Sequence, residues 1–95
     1  MTISLSDRFV ASPTVLFREL EGESVLLNLE SGVYYGLDPV GTRIWTLLAG
    51  DESLSGVCDI LQREFDVAPD VLQSDVQTLV TELCGKGLVV LKPVS

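Results

Sequence analysis

Histidine is absent from this 95-residue chain, and basic side chains are few. Without an imidazole, a serine or cysteine triad lacks its usual base, and the common histidine-containing zinc sites are excluded. Lysine and arginine together number 6 against 14 acidic residues, which gives a formal charge of −8. Because nucleic acids and anionic membranes bind basic surfaces, this balance disfavours both and favours a basic or neutral partner.

Long apolar runs are also missing, since none approaches the ~20 residues that cross a bilayer. Residues 1–7 lack the basic and apolar regions of a secretory signal, so we expect a cytoplasmic protein. The two cysteines, Cys58 and Cys84, are expected to be small buried hydrophobes rather than a disulfide. Residues 1–95 are expected to form one domain, which would bury roughly 64% of its unfolded surface.

The first half of the chain has the two-residue periodicity of β-strands. The predicted strands are residues 15–20, 24–30 and 32–37, and the second places Val25, Leu27 and Leu29 on one face. Glu21-Gly22 and Ser31-Gly32 separate these strands, each with the glycine that a tight hairpin turn needs. Two successive hairpins predict a three-stranded antiparallel meander.

The second half has helical periodicity. Asp38 and Pro39 predict the start of one helix that ends at Gly50, and Ser53 predicts the cap of a second. A third is predicted to start around Pro69 and Asp70 and to close with Gly85-Lys86-Gly87, before a short strand over residues 88–91. The fold class is therefore α+β. Core packing explains the apolar stripes of the helices, which are Val40, Ile44, Trp45, Leu47 and Leu48, then Leu54, Val57, Cys58, Leu61 and Phe65, then Leu72, Val76, Leu79, Val80 and Leu83.

Candidate catalytic groups are weak. Asp66, Asp70 and Asp75 lack the order of a calcium loop and are typical of acids that cap or solvate a helix N-terminus. The segment Gly85-Lys86-Gly87 closes a helix, whereas a phosphate loop opens one. We therefore expect no enzyme activity, no catalytic residues, no metal site and no cofactor.

The third strand is the most informative segment for binding. Val33, Tyr34, Tyr35, Gly36 and Leu37 lack the lysine, proline or inward charge that protects natural edge strands. An exposed edge of this composition would accept another strand. The alternative is that the chain covers this edge itself, with residues 88–91 as the cover.

The tyrosine-rich strand, the following Gly41-Thr42-Arg43-Ile44-Trp45 and the terminal Gly87-Leu88 are found together in one protein family. Over about residues 13–91 the chain resembles the PqqD family. The resemblance implies a three-stranded sheet packed on three helices in winged-helix fashion. It also implies a recognition element that binds the leader of a ribosomally made, post-translationally modified peptide as an added strand.

The resemblance further implies the site residues. The backbone ladder would come from Val33, Tyr34, Tyr35, Gly36 and Leu37. The wall of the groove would come from the third helix, and its members would be Leu72, Asp75, Val76, Leu79, Glu82 and Leu83. Because an acid beside an apolar groove can pair with a basic side chain, we expect Asp75 to bind a leader lysine or arginine.

The predicted function is a non-catalytic adaptor that presents a precursor peptide to a leader peptidase or another modifying enzyme, most like the discrete adaptors of lasso-peptide systems. One alternative is the peptide chaperone of pyrroloquinoline quinone synthesis. Two alternatives of other classes are a winged-helix DNA-binding regulator and a structural subunit whose edge pairs with its own copy. Acids on the third helix disfavour the DNA-binding alternative.

Overall fold

The computed structural model describes residues 4–92, which form five strands and three helices. In chain order these are β1 (Phe9–Ala11), β2 (Val15–Leu20), β3 (Glu23–Asn28), β4 (Tyr34–Leu37), α1 (Pro39–Ala49), α2 (Leu54–Glu64), α3 (Pro69–Gly85) and β5 (Val89–Leu91). The α+β class and the three-stranded sheet followed by three helices are confirmed. The single domain predicted over residues 1–95 stays a prediction.

Strands β2, β3 and β4 form an antiparallel meander in that order. Glu21 and Gly22 both have positive φ, at 54° and 85°, which is the geometry of a two-residue hairpin turn whose twist matches the strands. Gly32 has φ 75° between β3 and β4. The two predicted hairpins are therefore confirmed at the positions of their glycines.

The two faces of this sheet have different neighbours. Leu26 on β3 is fully buried against the helices, whereas Val25 is 46% exposed and Leu29 is 59% exposed. The predicted face of Val25, Leu27 and Leu29 is thus the outward face of the sheet. An apolar alternation marks one face of a strand, but it does not say which layer covers that face.

A second, two-stranded ribbon joins the two ends of the described chain. In it β1 pairs with β5 antiparallel, with Phe9 opposite Leu91 and Ala11 opposite Val89. The apolar pattern of residues 88–91 predicts the strand β5, but no comparable pattern predicts its partner β1. Because β5 pairs with β1, residues 88–91 do not cover the edge of β4.

Side-chain caps fix the starts of α1 and α2. The Gly41 amide donates to Asp38 Oδ1 at 2.7 Å, and the Gly56 amide donates to Ser53 Oγ at 3.2 Å. Helix α3 begins with Pro69 at its first position and has no side-chain cap. The predicted helix starts are confirmed. They could be predicted from the sequence because caps and proline act on neighbouring residues.

The core lies between the inner face of the sheet and the helices. Phe17 of β2 stacks on Trp45 of α1, with ring centroids 6.1 Å apart.

Cys58 and Cys84 are free and half-buried, and burial raises the pKa of both thiols. They behave as the small hydrophobes that the composition indicated. Within residues 4–92, no helix combines the length and the apolar character that crossing a bilayer requires.

Candidate functional site

The backbone of β4 has one unpaired side. The Asn28 amide donates to the Val33 carbonyl at 2.9 Å, and residues that exchange hydrogen bonds alternate along an antiparallel pair. Tyr35 and Leu37 therefore direct their amide and carbonyl groups toward β3. Tyr34 and Gly36 direct theirs away from the sheet, where no strand in residues 4–92 pairs with them. The free edge consists of these two residues.

A groove of about 450 Å³ runs beside this edge, between β4, α1 and α3. Its wall on the sheet side is β4 itself, and α1 and α3 supply the floor and the opposite wall. Most of the lining is apolar. The lining residues are Tyr35, Gly36, Leu37, Asp38, Val40, Gly41, Ile44, Phe65, Val67, Leu72, Asp75 and Leu79. An open backbone edge therefore adjoins a pocket that can accept side chains.

The charged side chains that line the groove are all acidic. Asp38 and Asp75 line it from opposite walls, and the lining contains no lysine or arginine. Asp75 is exposed on α3, while one oxygen of Asp38 accepts the Gly41 amide at the start of α1. An apolar pocket with acidic sides favours an apolar side chain flanked by a basic one.

One end of the groove is closed by a contact between β4 and α3. The Tyr35 hydroxyl donates to the Glu82 carboxylate, and the Lys86 ammonium lies 5.9 Å from the centre of the Tyr35 ring. The hydrogen bond to Glu82 raises the pKa of Tyr35 to about 12, and burial and the charges of Glu82 and Asp38 act in the same direction. The Tyr35 phenol is therefore protonated at neutral pH and can donate to Glu82.

The structure brings most of the predicted site residues to this groove. Tyr35, Gly36, Leu37, Leu72, Asp75 and Leu79 line it directly. Tyr34 is 70% exposed on the outward face of the sheet, and Val33 lies just before β4. Val76 and Leu83 have 0% exposure, so they support the groove from the core and do not form its surface. Peptide contact by the predicted residues stays a prediction.

Six lining residues were not among the predicted site residues. The sequence predicts a helix cap at Asp38 and core positions at Val40, Ile44 and Phe65, while Gly41 belongs to the motif of the resemblance. Val67 was given no role. Helical spacing identifies an apolar face but does not separate the part that packs under a groove from the part that lines it. The one available signal is the position of Phe65 and Val67 in the short connection between α2 and α3.

Comparisons with known proteins agree on one family. The family described as coenzyme PQQ synthesis protein D (PqqD) matches residues 23–89. The structure of TbiB1 in complex with the TbiA(beta) leader peptide is 31% identical, with a TM-score of 0.80, and the match covers 90% of this chain and 98% of that chain. Lasso peptide synthetase B1 complexed with the leader peptide is 26% identical, with a TM-score of 0.80, over 87% and 98% of the two chains.

No curated protein matches the chain significantly. The family match nevertheless spans well over half of the sequence, and it includes β3, β4 and all three helices. The structural matches extend over nearly all of the described fold. These matches confirm the resemblance found from the tyrosine-rich strand and the helix that follows it: the chain belongs to the PqqD family.

Proposed function

We propose that this protein is a non-catalytic adaptor that binds the leader of a ribosomally made precursor peptide, in lasso-peptide biosynthesis. The observation that carries the proposal is the free edge of β4 beside an apolar, acid-flanked groove. Two structural relatives with nearly full coverage are complexes with leader peptides, which supports the same assignment. Binding, and not chemistry, is the activity.

The leader would extend the sheet by pairing with Tyr34 and Gly36. Residues directly opposite each other on neighbouring strands face the same side of a sheet, so leader residues opposite Tyr35 and Leu37 would point into the groove. Such residues are two positions apart in the leader. Backbone hydrogen bonds contribute roughly 0.5 to 1.5 kcal/mol each, which does not offset the ordering of a peptide. Side chains in the groove must supply the remaining affinity.

The groove residues have separate roles in this proposal. Leu37, Leu72 and Leu79, with Ile44 and Phe65, would surround an apolar anchor of the leader. Asp75 would pair with a lysine or arginine next to that anchor. The formal charge of −8 would attract a basic peptide over longer distances.

An adaptor also needs a surface for the enzyme that receives the peptide. The outward face of the sheet exposes apolar side chains, with Leu16 at 51%, Leu20 at 77% and Val25 at 46% exposure, beside the charged Arg18 and Glu23. Exposed apolar surface of this kind is typical of protein–protein contacts. We assign this face to the leader peptidase or other modifying enzyme. Because precursor peptides are made in the cytoplasm, the adaptor would act there.

The test is fluorescence polarisation of a labelled leader peptide encoded beside this gene. A scrambled peptide and duplex DNA are the controls. Saturable binding of the leader alone, with amide shifts at Tyr34 and Gly36, is the expected result. Binding of DNA would favour the regulator alternative, and binding of a pyrroloquinoline quinone precursor in place of the lasso leader would favour the other biosynthetic role. A folded protein that binds none of these would contradict the proposal.

A further inference from the structure

The contact that closes the groove joins two elements distant in sequence. Tyr35 on β4 and Glu82 on α3 are 47 positions apart, and their hydrogen bond is the link between the sheet and the helix at this end. Leu79 lines the groove one turn before Glu82 on the same face of α3. The wall formed by α3 therefore continues past Leu79 to Glu82. At Glu82 the Tyr35 side chain occupies the space beside that wall. We call the Tyr35–Glu82 contact the clasp.

The clasp lies where a bound strand needs room. A strand added to β4 would lie about 4.8 Å from it, between β4 and α3. Its residue opposite Tyr35 would direct its side chain to the same side of the sheet as the Tyr35 ring. In the structure the Tyr35 side chain crosses this space to reach Glu82, and Lys86 lies at the ring. The incoming side chain and the clasp compete for one volume.

The other end of the groove has no such obstruction. Thr42 Oγ1 of α1 donates to the Leu37 carbonyl at 3.4 Å, but around Leu37 and Leu72 no side-chain hydrogen bond in the described residues joins β4 to α3. The peptide side chain opposite Leu37 can thus enter the pocket directly. The peptide side chain opposite Tyr35 would meet the clasp.

We propose that the clasp is a specificity-determining gate of the groove, which must open before a peptide side chain can lie opposite Tyr35. The proposal rests on the proposed function. It implies that the free protein holds Tyr35 on Glu82 and that the bound protein does not. Breaking the hydrogen bond then opposes binding, so a protein without the Tyr35 hydroxyl binds the peptide more tightly.

The experiment compares the wild-type protein with Tyr35→Phe, using the leader peptide encoded beside this gene as the probe. The variant keeps the ring but removes the donor to Glu82. One net hydrogen bond corresponds to roughly a three- to tenfold change in affinity, so we expect Tyr35→Phe to bind tighter by about that factor. Thr81→Val is the matched control, because it removes a hydroxyl that donates to the Gln77 carbonyl elsewhere on α3. Its affinity should equal that of the wild type.

A second measurement follows the clasp directly. The Tyr35 hydroxyl proton should be protected from exchange in the free protein, where it is held by Glu82, and this protection should disappear in the complex. Equal or weaker binding by Tyr35→Phe, or protection that persists in the complex, would overturn the gate and leave the adaptor function intact. Failure of both proteins to bind, with the proton protected throughout, would overturn the proposed function and the gate with it.

Discussion

The three-stranded sheet has two outer strands, β2 and β4, and they differ in what surrounds their free sides. On β2 the Leu29 amide donates to Thr14, so the alternation of the ladder leaves Val15, Phe17 and Glu19 with outward-directed backbone groups. This strand carries Arg18 and Glu19, and charged side chains discourage pairing with another chain. The pocket that touches β2 is lined by β2 and β3 alone, and two of its five lining residues, Arg18 and Glu23, are charged.

Strand β4 has no charged residue over its whole length and borders the groove of α1 and α3. Both strands therefore offer hydrogen-bonding groups, but the groove formed with α1 and α3 lies beside β4. Under the proposed function, the comparison implies that an unpaired edge is not sufficient for binding. A neighbouring pocket and the absence of charge make it receptive.

Proline substitutions on β4 and β2 should give the largest difference in peptide affinity. Gly36→Pro removes an amide that points away from β3, so the sheet should persist while the leader loses a donor and meets the ring. We expect peptide affinity to fall about 100-fold, because the unpaired carbonyl of the leader adds its own cost. Polarisation measures the affinity, and circular dichroism reports the fold.

The matched change is Glu19→Pro, which removes the corresponding free amide of β2. Its affinity for the leader should be unchanged. A loss of binding in Glu19→Pro equal to that in Gly36→Pro, with both proteins folded, would mean that the peptide does not distinguish the two edges.

Truncating a groove residue tests the pocket apart from the backbone. Leu79→Ala removes apolar contact with the peptide and should weaken binding about tenfold. Because Leu79 also packs against the core, the free energy of unfolding should fall by about 2 kcal/mol. Denaturant unfolding must therefore accompany the binding measurement. Val71→Ala, at a 49% exposed position on the same helix, is the control. An effect of Leu79→Ala on stability alone would remove this residue from the peptide surface.

Neutralising a groove carboxylate should have a smaller effect. Asp75→Asn keeps the shape of the side chain but removes its charge, and an exposed ion pair contributes less than about 1 kcal/mol. We expect affinity to fall about threefold in low salt, with a weaker dependence on salt than the wild type. Asp70→Asn, at the start of the same helix, should change neither quantity. If Asp75→Asn binds with unchanged affinity and salt dependence, Asp75 does not pair with the leader.

Titration of Tyr35 should show the smallest effect. The pKa of Tyr35 is raised from 10.0 to about 12, so the folded protein holds the phenol proton more tightly than the unfolded chain. The stabilisation from the clasp is therefore complete below pH 10 and is lost as pH rises through about 12. Ultraviolet absorbance measures it, as the difference between wild-type protein and Tyr35→Phe. A Tyr35 that ionises near pH 10 would mean that the clasp does not form in solution.

Local signals explain why the fold followed from the sequence. Asp38 with Pro39 fixes the start of α1, and Glu21-Gly22 fixes the first hairpin, since each acts within a few residues. The ribbon of β1 and β5 was only half predicted, because three-residue strands that pair across the whole chain leave little local pattern.

The site was predictable at its edge and along α3, but not where α1 and the α2–α3 connection line it. The uncharged strand around Tyr35 and Gly36 marked the edge directly. In contrast, Ile44 and Phe65 have the spacing of core residues, and only the tertiary arrangement shows that they face a groove. The pairing of Tyr35 with Glu82 across 47 positions has no sequence signature at all.

The β1–β5 ribbon has a consequence for protein engineering. Phe9 lies opposite Leu91, and the Lys92 amide donates to the Arg8 carbonyl at 2.8 Å, so the two ends of the described chain are neighbours. Directly paired residues are only about 5 Å apart, which a short linker spans. The domain can therefore be circularly permuted, or inserted into a surface loop of an unrelated enzyme, without a cut near β4. A host enzyme built in this way would carry the free edge of β4 and the groove beside it.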